Sequence, residues 1–171
     1  MSSHVSENPY LTQEDGEWIL VLERSLEHPL EAVWAALTKA EQIPDWGPFT
    51  ADRDLTTAGA VRLAHINAPE ADEKQGYVLE VNAPYLLILR WGSDILRWEL
   101  SGDRDRTVLI LRHRFANYQD APSYAAGWHL CLKGLTGTLA GEKMPSMVGE
   151  NALKHGWQEL YEQYAKQFGK K

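Results

Sequence analysis

Residues 120–142, DAPSYAAGWHLCLKGLTGTLAGE, decide how this chain is read. Wound at about 100° per residue, Tyr124, Trp128, Cys131, Leu132, Leu135 and Leu139 fall on one apolar arc, with His129, Lys133 and Thr136 opposite. The segment predicts one long helix that buries a single face. Gly127, Gly134, Gly137 and Gly141 line one edge of it, although each glycine inside a helix costs roughly 1 kcal/mol relative to alanine. That penalty predicts a close approach of the helix backbone to a sheet or to a second chain. At Gly141 a frayed or bent helix end is the plainer explanation.

The surface that such a helix packs against lies upstream. Runs 61–66, 76–81, 85–91, 95–100 and 107–115 read as strands, each bounded by Gly, Pro, Asn, Asp or Ser. Their connections are short, as in Asn82-Ala83-Pro84 and Gly92-Ser93-Asp94, so an antiparallel meander is expected rather than crossover units. Alternation puts Leu87, Leu89, Trp91, Leu96, Trp98, Leu100, Leu109, Leu111, His113 and Phe115 on one wide aromatic face. The opposite face is apolar at one end, with Leu86, Ile88, Val108 and Ile110, and cationic at the other, with Arg90, Arg97, Arg112 and Arg114.

Further upstream, 17–26 reads as a strand apolar on both faces, and Pro29 opens a helix carrying Leu30, Val33, Trp34 and Leu37 at helical spacing. Thr38 with Glu41 forms a capping box for a second short helix that Pro44 stops. An irregular aromatic loop, Asp45 to Phe49, comes next and is expected over one end of the core. Downstream, 150–168 predicts an amphipathic helix with Leu153, Trp157, Leu160, Tyr161 and Tyr164 on one stripe. That stripe needs a surface, and the Leu86, Ile88, Val108 and Ile110 patch is the candidate, within the chain or across a homodimer. The organisation expected is a flexible arm at 1–15, one α+β domain at 16–142, a linker at 143–149 and the C-terminal helix at 150–171. The domain is a curved antiparallel sheet wrapped around the long helix.

Composition narrows the function classes. Seventeen basic against 24 acidic side chains give a formal charge of -7, which repels nucleic acid and anionic membrane surfaces. Cys131 is the single cysteine, so no internal disulfide or thiolate-rich metal site is expected. The polar, acidic first residues lack the pattern of a signal peptide, and the longest apolar run, residues 85–89, is too short to span a bilayer. A cytoplasmic protein is expected.

Several motifs in order carry a family resemblance. They are Pro29-Leu30-Glu31-Ala32-Val33-Trp34 with Leu37-Thr38, Trp46-Gly47-Pro48, Gly76-Tyr77-Val78-Leu79-Glu80-Val81 with Pro84 and Trp91, the strand 107–113, and Gly127-Trp128 with Leu132 and Leu135. From about residue 18 to 141 the chain resembles the START-like (SRPBCC) superfamily of helix-grip folds. Within it, the chain is similar to the family named for activators of the heat-shock protein 90 ATPase; Gly156-Trp157 and the tyrosine-rich end look like a bacterial branch. The resemblance implies a sheet gripping the long helix, with a cavity between them that often takes lipids, sterols or polyketides. Co-chaperones of this family pair the domain with a separate N-terminal domain carrying chaperone contacts, which this chain is expected to lack.

Three functions are open to test. The first is a binding module that sequesters a small apolar molecule, lined by Trp46, Phe49, Tyr77, Trp91, Trp98, His113, Trp128 and Leu132. These tryptophans can wall a ligand or fill the core solid. The second is a co-chaperone-like interaction module using the arginine-bearing face or the C-terminal helix, although exposed strand arginines serve mainly as a solubility device. The third is a cyclase- or aromatase-like enzyme. It needs a titratable group among apolar walls, for which His113 leads His65, Tyr77 and Glu80; the plainer reading of His113 is a histidine hydrogen-bonded to its neighbours. Glu80 is expected to be outward and solvated. The six histidines are scattered, with no metal spacing, and no cofactor fingerprint is present.

Overall fold

The computed structural model describes residues 9–65, 74–142 and 156–169. Eight strands form one antiparallel sheet in the order β1-β2-β8-β7-β6-β5-β4-β3. They are β1 (Tyr10–Glu14), β2 (Glu17–Leu26), β3 (Phe49–Ala51), β4 (Gly59–His65), β5 (Lys74–Asn82), β6 (Leu86–Trp91), β7 (Asp94–Gly102) and β8 (Thr107–Phe115). Helix α1 (Leu30–Thr38) comes after β2, α2 (Ala121–Leu139) after β8, and α3 (Trp157–Gln167) last. The sheet curls as a half-barrel around α2, so the expected α+β helix-grip architecture is the one present. No helix among the described residues is long and apolar enough to cross a membrane.

The pleat explains the core. Leu20 and Leu22 of β2, Leu87 and Leu89 of β6, Leu96, Trp98 and Leu100 of β7, and Leu109, Leu111 and Phe115 of β8 all point to the concave side and are buried. Ala125, Trp128, Cys131, Leu132 and Leu135 of α2 join them in one cluster. Burying an aliphatic side chain of this kind contributes roughly 1.5–3 kcal/mol, so the sheet and α2 stabilise each other.

Several local expectations change. Residues 10–14, assigned to the arm, form β1, because Asp15 and Gly16, at φ 52° and 82°, make a two-residue hairpin turn to β2. The strand is mostly exposed, so its polar composition hid it. Thr38 builds no capping box: its hydroxyl donates back to the Trp34 carbonyl at 2.8 Å. In place of a second short helix the chain makes a single 3-10 turn, Ile43–Asp45, that contains Pro44. At the end of α2, Gly141 (φ 84°) is neither frayed nor bent. Its N–H donates to Thr138 O and that of Glu142 to Gly137 O, at 3.0 and 2.9 Å, which is a Schellman cap.

The close-approach expectation for the helix glycines separates by position. A Cβ on Gly134 would lie 3.7 Å from Trp46, whereas one on Gly127 would meet nothing within 4 Å. The last helix also takes a different seat. Trp157 and Leu160 pack on Leu130 of α2 and, with Tyr161 and Tyr164, join the main core, and Tyr164 contacts His129. The outer sheet patch therefore is not its partner. Leu86, Ile88 and Ile110 are half-buried beside their cross-strand neighbours Glu99, Arg97 and Glu99 respectively, whose aliphatic stems shield them. The expected linker at 143–149 and the first residues of the last helix, Leu153 included, lie outside the described residues.

Candidate functional site

Five rings, four from different elements and one from the turn before β3, form a continuous string on the concave side of the sheet. Phe49 (β3) meets Trp91 (β6) at 5.0 Å between centroids, Trp91 meets Trp128 (α2) at 6.3 Å, Trp128 meets Trp98 (β7) at 5.5 Å, and Trp98 meets Trp46 at 5.7 Å. All four contacts are edge to face, the arrangement that ring quadrupoles favour. Trp46 comes directly after the 3-10 turn and is fixed by its indole N–H, which donates to the Ala36 carbonyl at 2.9 Å. Trp91 is half-buried while the other four rings are buried, so the string reaches solvent at Trp91.

His113 sits behind the string, fully buried. The Trp128 indole N–H donates to its Nδ1 at 2.9 Å, and its Nε2 lies 2.7 Å from Asp94 Oδ2. An indole can only donate, so Nδ1 carries the lone pair and Nε2–H donates to the carboxylate. The ring also stacks on Tyr124 at 4.4 Å. Burial raises the Tyr124 phenol above its usual range, and the charges of Asp94 and Asp120 and a hydrogen bond with Asp94 add to the effect. Both imidazole nitrogens are thus committed, which is the hydrogen-bonded histidine rather than a base facing a substrate. Asp94 and Tyr124 were missed in the sequence. The available signal was phase, since Asp94 precedes Leu96, Trp98 and Leu100 by two residues and shares their inward face.

Other candidates are dispersed. Tyr77 is 38% exposed on the outer side, with the Arg90 guanidinium 5.5 Å from its ring centroid. A register shift between Val78 and Glu80 causes this: Gly76 and Val78 are buried, and Leu79 and Glu80 are exposed. Leu132 is buried at a groove between β2 and α2, and Glu80 pairs with Ile88 on the outer face. His65 pairs with Phe49 through the backbone. Burial pushes the Cys131 thiol up to about 12, so it behaves as a small apolar side chain. Three of the four outer arginines are paired with acids, two of them with the same glutamate. Arg97 and Arg112 bind Glu99 at 2.6 and 3.1 Å, and Arg114 binds Glu17 and Glu14 at 2.6 and 2.9 Å. Burial would raise the Glu99 carboxyl, but the hydrogen bonds from Arg97 and Arg112 outweigh it and hold it below the usual range. Among the described residues no group of three or more His, Cys, Asp or Glu is placed to hold a metal ion.

A family model described as activator of Hsp90 ATPase homolog 1-like protein matches residues 27–140, which run from just before α1 to the end of α2. Among solved structures the chain is similar to CalU16 from Micromonospora echinospora, at 20% identity and TM-score 0.70, covering 93% of this chain and 96% of that one. It is similar to EF2215 from Enterococcus faecalis, a conserved protein of unknown function, at 16% identity and TM-score 0.70, covering 93% and 89%. It is also similar to the protein encoded by gene BPP1335 from Bordetella parapertussis, at 26% identity and TM-score 0.64, covering 95% of each chain. No curated protein matches.

Proposed function

The chain belongs to the activator of Hsp90 ATPase homolog 1-like family of START-like helix-grip proteins, and from that premise we propose that it is a cytoplasmic module that binds and sequesters a small apolar molecule. The observation that carries this reading is the string of five rings from four elements and one turn, open to solvent at Trp91. Flat, polarizable walls suit fused-ring or polyketide-like ligands. Entry requires the rings to part. Each edge-to-face contact is worth about 0.5–1.5 kcal/mol. Burying about 300 Å² of ligand surface contributes roughly 7 kcal/mol before the entropic costs of association, so ligand burial offsets the parting of one or two contacts.

Native mass spectrometry of protein purified gently from its host tests this. An extra noncovalent mass that disappears on denaturation, and that is lost in Trp98→Ala and Trp128→Ala variants, supports the reading. Retention of the same mass by both variants removes the aromatic string as its site. An enzymatic role for His113 would first require Trp128 to release Nδ1. A co-chaperone-like role on the outer face would have to draw on Arg97, Arg112 and Arg114, already paired with Glu99, Glu14 and Glu17, and on Arg90, which lies over the Tyr77 ring.

A further inference from the structure

The aromatic string is tied at its middle to a group that can change charge. Trp128 joins Trp91 and Phe49 on one side to Trp98 and Trp46 on the other, and its indole N–H ends on Nδ1 of His113. An indole nitrogen has no lone pair to offer, so this bond exists only while Nδ1 is unprotonated. A proton on Nδ1 would set N–H against N–H at a separation of 2.9 Å. Trp128 is 3% exposed and His113 fully buried, so one of the two rings has to turn. His113 is held on its other sides, stacked on Tyr124 at 4.4 Å and with Nε2 2.7 Å from Asp94 Oδ2. The ring that turns is therefore the indole.

The neighbours leave the charge change to His113 and Asp94. Histidine is the side chain that ordinarily titrates near neutrality, and a carboxylate in contact favours the charged ring while burial opposes it. Leu20 of β2 and Leu96 of β7 lie opposite His113 across the ladders, and Leu111 and Phe115 share its face of β8; all four are apolar and buried. From α2, Tyr124 stacks on the ring and hydrogen-bonds to Asp94; its phenol is raised above its usual range and stays protonated at neutral and acid pH. Asp120, just ahead of α2, acts on Tyr124 by its charge. Among the described residues the ion-pair partner of Asp94 is His113.

We propose that His113 is a proton-operated latch on the aromatic string. With Nδ1 bare it holds Trp128 in place; uptake of one proton at Nδ1, with Nε2–H kept on Asp94, releases the indole and parts the string at its middle. The release needs no ligand. Its use, easing the entry of an apolar molecule in acid, rests on the binding function proposed above.

Nitrogen-15 NMR of the ligand-free full chain between about pH 8 and pH 5 tests the latch. The Trp128 indole signal, assigned by its loss in Trp128→Phe, and the His113 ring nitrogens should shift together with one midpoint while the amide spectrum remains that of the folded chain. Asp94→Asn keeps an acceptor for Nε2–H but removes the charge, so it should move the midpoint down by about one pH unit or more. Trp128→Phe removes the opposing donor and should move the His113 midpoint up, which keeps the test decisive if the first variant does not fold. An Nδ1 that stays bare until the chain unfolds in acid, an indole signal that does not follow His113, or a midpoint that neither variant moves overturns the proposal. Fluorescence titration with N-phenyl-1-naphthylamine, uncharged in this range, separates the latch from the binding function. Its affinity should rise on acidification by up to about tenfold per pH unit, the limit for one proton, and should not vary with pH in His113→Phe. An affinity that does not vary with pH in the native chain overturns the use in ligand entry. Coupled NMR shifts without probe binding at any pH support the latch and count against the binding function instead.

Discussion

His113→Phe removes the acceptor for the Trp128 indole and the donor to Asp94. Trp128 is 3% exposed, so water cannot replace the lost 2.9 Å bond, and a stranded buried donor costs about 1–3 kcal/mol. Asp94 fares better. Its side chain is 17% exposed and the Ser93 hydroxyl lies 3.4 Å from it, so its carboxylate can rehydrate and adds less. The expected loss is about 2 kcal/mol, which for a chain of this size lowers the thermal midpoint by roughly 4–8 °C. Trp128→Phe is destabilising on its own, because it removes ring area and leaves Nδ1 without a donor. The double variant strands neither group at that contact, so the two losses should fall short of additivity by about 1–2 kcal/mol. Urea denaturation of the four proteins, at one pH and with a common slope, measures the cycle. Additivity within about 0.5 kcal/mol would refute the assignment of the His113–Trp128 bond as a contributor to stability.

Three further outcomes are expected. Gly127→Ala should stabilise the chain by about 0.5–1 kcal/mol, because the added methyl meets nothing within 4 Å and the helix gains propensity; a lower thermal midpoint would contradict this. The depressed carboxyl of Glu99 contributes stability that is present above its ordinary value of 4.5 and is lost as pH falls through its lower folded value. The stability gap between the native chain and Glu99→Gln should therefore shrink on acidification, and a gap that does not vary with pH would count against the pairing. Finally, the Cys131 thiol, pushed up to about 12 by burial, should not react with aromatic disulfide reagents at about pH 8 until the protein is unfolded in denaturant. Rapid reaction in the native state would contradict its burial.

Much of the fold was legible because it rests on short-range periodicity. Five strands between residues 59 and 115, a long helix ending three residues short of the expected 142, and the inward faces of β6, β7 and β8 are set by alternation and helical spacing. The misses fall where a local rule is overridden or carries little signal. Tyr77 reads inward by phase with Leu79 and Val81, but the irregularity between Val78 and Glu80 shifts the register and turns it outward. Strand β1 is too polar to show alternation, and Asp15-Gly16 was its only marker. The hydrogen-bond partners of His113 lie 15 and 19 residues away in sequence, beyond the reach of any periodicity.

The sequence by itself determined which faces are apolar, where the strands turn and how long the central helix runs, because these depend on neighbours within one or two turns of chain. Only the tertiary structure decided which faces meet. The stripe of the last helix lies on Leu130 and the edge of the main core and not on the outer sheet, because α2 presents a second apolar position, Leu130, that one helical arc does not reveal. Arg112 and Arg114 of the outer face are paired with acids across strands and across the β1–β2 hairpin. His113 is held by Trp128 and Asp94, and Arg24 is turned inward beside α2. Charge pairing and hydrogen bonding act over a few ångströms in space, and the sheet register and the docking of α2 set those distances.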